Sequence, residues 1–474
     1  MRRFAAPALL AALAVAAGCG GNGGGGSIPE GAGKAPADAA AFVSLATDPS
    51  SEQWKQAMEL AARFPGAASQ LRRLEKYKGA YGPELDVVWL DFANNGDNVV
   101  AVTKPSDIGR LKAVIAPDKA AYSELSGGWV AIGGNQAIVD RFEKEAQGDK
   151  LDGDKDFKNG FGKLEGDSAV RAWVRGSLVQ SALDRELASG GAAPRITHDL
   201  GDLHAISASA RAAKDGAAAD FYGVIDPAPD PATFSPTLAN EVPSGALLYF
   251  STTSLDTPLR ILLRMVGESS STFDRQLQQV QSVLGISLED DIYPLLKGES
   301  AVAIYAGRRI PPVLFLQKVD DESKAEGILR RLSAVAQLSG EVRTGTIQLR
   351  GQTVQKLTFK SAGVTIYDGV AKGKIFVTNS IALAGQAISR PAKSLAEDEL
   401  FRAARKAAGL PDRVAAFAYG DLQHGLPFVF RLAEQSGSVV PPAARANTKP
   451  LHASLAYLVK DADGLRISGF VTIK

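Results

Sequence analysis

The sequence holds a single cysteine, Cys19, among 474 residues. A chain with one thiol forms no intramolecular disulfide and lacks the cysteine pair of a zinc or iron–sulfur site, so packed apolar cores must supply its stability. Histidine is scarce as well: His198, His204, His424 and His452 are the full set. Basic residues never run beyond a pair and the formal net charge is +1, which gives no electrostatic reason to bind nucleic acid. H-E-x-x-H, G-x-S-x-G, S-x-x-K and Walker A sequences are all missing, leaving no motif on which to name catalytic residues, a cofactor or a metal site. Beyond the N-terminal segment, no stretch approaches the roughly 18 apolar residues of a membrane-spanning helix. What remains is 45% hydrophobic and 22% charged, the balance of a soluble globular chain long enough for two or three domains.

Met1-Arg2-Arg3 is a short basic start, and Phe4 to Ala17 is apolar but too short to cross a bilayer. It ends in Val15-Ala16-Ala17-Gly18-Cys19, which resembles the lipobox of bacterial lipoproteins. There, small residues admit the signal peptidase and the cysteine thiol takes a diacylglycerol. Ala16 departs mildly from the Leu usual three places before the cysteine. The resemblance implies a signal peptide over residues 1–18, lipidation at Cys19 and an extracytoplasmic location at the cell membrane. Loss of Arg2 and Arg3 with the signal leaves 51 basic against 52 acidic residues. Gly20 to Asp38 reads GGNGGGGSIPEGAGKAPAD, expected as a flexible leash spanning on the order of 25 Å.

The body carries an internal echo. Leu203–Asp226 and Leu451–Lys474, 248 positions apart, share Leu-His-Ala, an Ala, an Asp-Gly pair and an Ile in register. Each reads as a β-hairpin about its Asp-Gly turn. Four further pairs follow in the same order: Ala39–Leu45 with Ala246–Thr252, Val99–Asp107 with Val313–Asp321, Trp129–Ile132 with Ile375–Thr378, and Val170–Leu178 with Val414–Leu422. Gly345–Phe359 reads as an added hairpin, and Asp86–Phe92 with Val99–Thr103 as another antiparallel pair. Ser51–Phe64 has helical spacing at Trp54, Ala57, Met58, Ala61 and Phe64, with Ser50 or Ser51 as N-cap. Leu255, Leu259, Leu262, Leu263 and Val266 form a second stripe, and Phe273, Leu277, Val280 and Leu284 a third. The expected class is α+β: two related domains from a duplication, each a mainly antiparallel or mixed sheet with helices on one face. The boundaries are a linker over 19–37, a first repeat over 38–226, a Pro-rich linker over 227–242 and a second repeat over 243–474. Gln53–Gly66 and Gly127–Phe142 resemble segments of an uncharacterised family of exported bacterial proteins known only as a domain of unknown function. That resemblance implies no activity.

Several residues invite a chemical reading, and each has a plainer one. His204 and His452 fall at matching places and read as structural hydrogen-bonders before metal ligands. Asp149, Asp152, Asp154 and Asp156 alternate as in a calcium loop. From Asp152, however, the EF-hand's Gly and Glu positions hold Phe157 and Lys163, so a solvated loop is expected. Gly160-Phe161-Gly162 lacks the third glycine of a dinucleotide fingerprint. Glu84 and Glu299 recur before strands and would work as an acid/base pair only if brought within a few ångströms. Trp54, Trp89, Trp129 and Trp173 sit at apolar-periodic positions and are expected in the core.

The functional expectation is a non-catalytic binding or envelope scaffolding protein. It would hold the membrane through an N-terminal lipid and take an envelope protein, peptide or amphiphile at the seam between the repeats. A hydrolase with an unrecognised carboxylate site and a purely structural envelope protein are the alternatives. Replacing Cys19→Ala should abolish acylation, read by mass spectrometry of the N-terminal peptide. An unlipidated wild-type chain with a mature start elsewhere contradicts the lipobox reading.

Overall fold

Short strands bounded by Gly, Asn and Asp turns alternate with capped amphipathic helices along the chain. The computed structural model describes residues 27–67, 79–164, 166–189, 201–269, 272–338 and 340–474. Residues 1–18, expected as a signal peptide, and Cys19 and His198 lie outside the described residues.

The first half opens with β1 (Ala41–Ala46), α1 (Glu52–Ala62), β2 (Glu84–Trp89) and β3 (Val99–Thr103). It continues through α2 (Ile108–Ile115), β4 (Ala121–Leu125), β5 (Trp129–Gly133), α3 (Gln136–Glu145) and α4 (Lys155–Phe161). It closes with β6 (Val170–Arg175), α5 (Gly176–Ser189), β7 (Asp202–Ala213) and β8 (Gly216–Asp226). The second half begins with β9 (Leu248–Thr252), α6 (Asp256–Ser269), α7 (Phe273–Leu284), β10 (Ser300–Ile304) and β11 (Val313–Lys318). Next come α8 (Glu322–Leu338), the hairpin β12 (Val342–Leu349) and β13 (Gln352–Phe359), then β14 (Val364–Ala371) and β15 (Lys374–Thr378). Last are α9 (Ile381–Ile388), α10 (Glu399–Ala408), β16 (Ala416–Asp421), α11 (Leu422–Gln435), β17 (Leu451–Asp461) and β18 (Gly464–Ile473).

All these strands join one sheet, and every neighbouring pair is antiparallel. The first half runs β4-β5-β3-β2-β1-β6-β7-β8 across it. The second runs β14-β15-β11-β10-β9-β16-β17-β18, with β13 and β12 added outside β14. The two orders match strand for strand. The residue offset across the matched strands is 207 at β1/β9 and 248 at β8/β18. Register corrects two of the sequence pairings. Trp173 takes the place of Tyr419 rather than Phe417, because Phe42 faces Trp173 and Tyr249 faces Tyr419. Val130, not Trp129, takes the place of Ile375.

The halves meet where β8 pairs with β18 through nine consecutive residue pairs. The pairing is symmetric about Asp220 and Ser468, which face each other and stand 248 residues apart. Gly216 pairs with Thr472 at one end and Val224 with Gly464 at the other. The Ile473 N–H donates to Asp215 O at 2.9 Å, and the Ile225 N–H to Asp463 O at 3.2 Å. His204 and His452 occupy the same β-bulge in β7 and β17. The two halves therefore do not form separate lobes with a cleft between them; they share a sheet.

Helices cover both faces of that sheet, correcting the one-face expectation. In β5, Trp129 and Ala131 pack under Ile138, Val139 and Phe142 of α3. Val130 and Ile132 pack under Leu111 and Ile115 of α2, on the opposite side. A strand buried on both faces carries no polar alternation, which is why WVAIG is apolar throughout. Likewise Phe376 of β15 meets Leu383 and Ala384 of α9, while Ile375 meets Ala325 of α8. We call the α3 and α9 side face A and the α2 and α8 side face B. On face A, Phe42, Phe157 and Trp173 form an aromatic cluster with centroids 5.4 Å apart. Tyr249, Phe401 and Tyr419 fill the matching place in the second half.

The described part of the first expected linker, and the second linker, are docked rather than free. Residues 28–40 strap onto the first half: Ala32 and Ala35 are fully buried, and the Ala37 N–H donates to Asp149 O at 2.9 Å. Gly31 is required there, since a Cβ would lie 1.7 Å from Asp86 Oδ2. The Pro-rich segment places Phe234, Leu238, Ala239 and Val242 in the second core. α1 also turns differently from expectation. It buries Gln53 and Leu60, and the Gln53 amide exchanges hydrogen bonds with the Ala212 backbone at 2.9 and 3.2 Å. Ser51 is its N-cap, accepting from the Trp54 N–H at 3.1 Å.

The joint makes a paired prediction. A Cβ on Gly216 would sit 2.0 Å from Val471 O, and one on Gly464 1.8 Å from Gly223 O. Gly216→Ala and Gly464→Ala should each destabilise the protein by about 2–4 kcal/mol, measured by urea unfolding. Gly153→Ala, with open space around it, should stay within about 0.5 kcal/mol. Unchanged stability in either joint variant contradicts the close packing.

Candidate functional site

The titratable residues singled out by sequence do not converge. Glu84 accepts the Gly31 N–H at 3.2 Å. Glu299 accepts the Thr237 N–H at 3.0 Å, the Leu238 N–H at 2.9 Å and the Thr237 hydroxyl at 2.7 Å, with Lys318 Nζ at 3.1 Å. Each carboxylate thus ties the first turn of a short 3-10 segment to the sheet. They sit on β2 and beside β10, nine strand positions apart, so the acid/base pairing fails. The acidic loop also disperses: Asp154 caps α4 through the Phe157 N–H at 2.8 Å and lies 3.3 Å from Arg175. Asp156 faces His204 at 3.5 Å. Gly160 lies within α4 and Gly162 is its C-cap, so Gly160-Phe161-Gly162 forms no phosphate loop. His424 Nδ1 lies 2.8 Å from Asp421 Oδ2. Burial and the nearby Lys474 ammonium hold His452 below the usual histidine range. Among the described residues no three metal-ligating side chains gather. Trp89, Trp129 and Trp173 are buried as expected, whereas Trp54 is only half-buried because α1 turns Gln53 and Leu60 inward.

Sequence reasoning missed a polar row on face A. Cross-strand neighbours run Asp86, Ser44, Arg171, Ser209, Asp220, Ser468 from β2 to β18, and all six are buried. Directly opposed residues share a face, so one polar line crosses the first half and reaches the joint. The Ser468 hydroxyl donates to Asp220 Oδ1 at 2.5 Å. Burial raises the Asp220 carboxyl, partly offset by that bond and by Arg466 and Arg211. Burial, with the neighbouring Glu84 carboxylate, pushes Asp86 well above the usual carboxylate range. Arg171 anchors the strap by donating from Nη1 to Ser27 O at 2.7 Å. The second-half positions matching Asp86 and Arg171 are Ala301 and Phe417. The row is enclosed and does not open to a substrate.

Face B is the opposite case: apolar, uncharged along its central rows and partly open. One row runs Phe221, Ile467, Leu458 across β8, β18 and β17. The next runs Gly469, Ala456, Ala418, Phe250, Val302, Phe315 from β18 to β11. Ile467 is 43% exposed, Phe250 45% and neighbouring Leu248 52%. α7, which packs beside α8, buries none of its residues and leaves Val280 and Val283 in solvent. The apolar stripes read for α6 and α7 are thus only partly covered. Their spacing was visible in the sequence; their lack of a cover was not. No described helix is long and apolar enough to cross a membrane.

The sequence profile of the family described as "protein of unknown function (DUF3352)" spans residues 68–456. The chain belongs to that family. Two solved structures, crystal forms III and IV of TP0453, are similar at 11% identity, with TM-scores of 0.26 and 0.27. Each covers 52% of this chain, and 95% and 94% of their own lengths respectively. No curated protein matches. The DUF3352 match covers most of both halves, taking in β8 and ending within β17, before β18.

One further carboxyl of this DUF3352 chain yields a pH prediction. Asp368, on β14, is 3% exposed and neither oxygen has a hydrogen-bond partner. Burial raises its pKa to about 6 from 3.8. It is therefore protonated in the fold at low pH, and stability falls as pH rises from about 4 through 6. Asp368→Asn should stabilise the protein on the order of 2–3 kcal/mol above pH 7 and have little effect near pH 4. An equal effect at both pH values contradicts this assignment.

Proposed function

We propose that this chain is an exported lipoprotein, lipidated at Cys19, that works at the extracytoplasmic face of a membrane as a non-catalytic binding protein. Its body is read as a duplication whose two copies fuse into one sheet. The matching strand orders, the shared bulge at His204 and His452 and the symmetric β8–β18 register support that reading. The working surface is the apolar side of the sheet, face B, across the joint. The observation that carries the proposal is the exposure of Ile467, Phe250 and Leu248 in the middle of an uncharged strand array. Exposed contiguous apolar surface on a folded chain marks a site of association. An envelope amphiphile, offering an apolar body without demanding a charged partner, fits it. The lipid would hold the surface near the membrane and raise the local concentration of such ligands.

Phe250→Asp and Ile467→Asp place a charge on that surface without touching the joint's hydrogen bonds. Both are expected to lose lipid that co-purifies with the wild-type protein, while circular dichroism stays unchanged. Lipid retained at wild-type stoichiometry by the double variant contradicts the proposal. Capture of an envelope protein instead of lipid by crosslinking at these positions would also overturn the choice of an amphiphile.

A further inference from the structure

The two halves diverge at one place where their backbones coincide. In the first half, Arg141 of α3 closes the space beside the β2–β3 connection. Its Nη1 lies 2.6 Å from Asp91 Oδ2 and its Nε 2.7 Å from Glu145 Oε1. Asn98 holds the other Asp91 oxygen at 2.7 Å. The Leu90 N–H donates to Asn98 O at 3.0 Å, as the Tyr305 N–H donates to Pro312 O at 2.9 Å. Pro36 bridges to Lys150 as Pro243 bridges to Ser394. These contacts put Ala306 in the place of Asp91, Pro312 in that of Asn98 and Lys393 in that of Asp149, and the matching helix N-caps Asn135 and Ser380 put Gln386 where Arg141 stands.

The substitutions empty the space and reverse its charge. An open pocket of about 440 Å³ lies in the second half, lined by Leu383, Pro243, Pro312, Pro391 and Lys393. That volume lies within the range of small-molecule sites. Gln386 also lines it, and its Oε1 is buried without a hydrogen-bond partner. The place of Asp91 is neutral, at Ala306, and that of Asp149 cationic, at Lys393. Glu397, the nearby carboxylate, is held by the Ser394 N–H at 2.8 Å and hydroxyl at 3.0 Å.

We propose that this cavity binds a small amphipathic carboxylate, its anion at Lys393 and its apolar body against Leu383 and the prolines. A free short-chain acid and the C-terminus of an apolar peptide share that chemistry. The site is separate from face B and does not depend on the lipoprotein reading.

The test is ligand-observed NMR on the purified protein with three probes: hexanoate, acetyl-Ala-Pro with a free C-terminus, and uncharged hexanamide. At least one carboxylate should bind at about 1 mM or tighter, with hexanamide roughly tenfold weaker. Binding by hexanoate identifies a free acid as a source; binding by the dipeptide alone identifies a C-terminus. Lys393→Ala should weaken binding about tenfold, the loss of one charge-assisted bond. The double variant Gln386→Arg/Ala306→Asp rebuilds the first half's ion pair inside the cavity and should abolish binding with thermal unfolding preserved. Equal affinity for hexanoate and hexanamide overturns the proposal. So does carboxylate binding that survives Lys393→Ala, or no saturable binding of either carboxylate.

Discussion

The edge-to-edge pairing of β8 with β18 is the constraint on which the rest depends. Each strand would otherwise present a free edge of unpaired N–H and C=O groups at the end of its half. Joined, they place Asp220 opposite Ser468 and pack glycine against backbone at both ends of the pairing, through Gly216 and Gly464. Side-chain contacts reinforce the ladder. Lys163 lies 3.1 Å from Asp463 and 3.5 Å from Asp461, and Arg63 donates to Ile473 O at 2.5 Å. Because the joint is part of a sheet, face A and face B each run unbroken from one half to the other.

The two faces divide the labour. Face A is closed by α3, α4, α9 and α10, and its first half accommodates the buried polar row that fastens the strap through Arg171 and Glu84. Within the row the Ser468 hydroxyl holds Asp220, so removing it would leave a buried carboxyl without that partner. Face B keeps apolar side chains partly open around the joint. The halves share a strand order but differ in side chains: Asp86 and Arg171 of the first stand where the second has Ala301 and Phe417, while Ser44 is matched by Ser251.

Much of this was legible in the sequence. The Asp-Gly hairpins, the added hairpin near Gly345–Phe359, the N-cap at Ser51 and the matching histidines all fall where expected, because turn chemistry and capping are local. Register was less legible. Trp129–Ile132 aligned one residue out because a strand buried on both faces has no alternation to mark which residue faces where. The strap reads as a leash in sequence because Gly and Ala signal flexibility, although Gly31 is small so that Asp86 can lie against it. The candidate surface was half visible: the stripes in α6 and α7 could be counted, but a sequence does not say that nothing lies on top of them. The pocket beside Gln386 could not be seen at all, since its lining comes from segments as far apart in the chain as Pro243, Pro312 and Lys393.

Hydrogen exchange across the joint tests the central claim most directly. A sheet continuous through β8 and β18 predicts that the amides of Ala217–Gly223 and Leu465–Val471 are protected together and exchange only by global unfolding, with a single cooperative transition in urea. Rapid exchange in both segments while the cores around Phe157 and Phe401 stay protected, with two separate unfolding transitions, would contradict it.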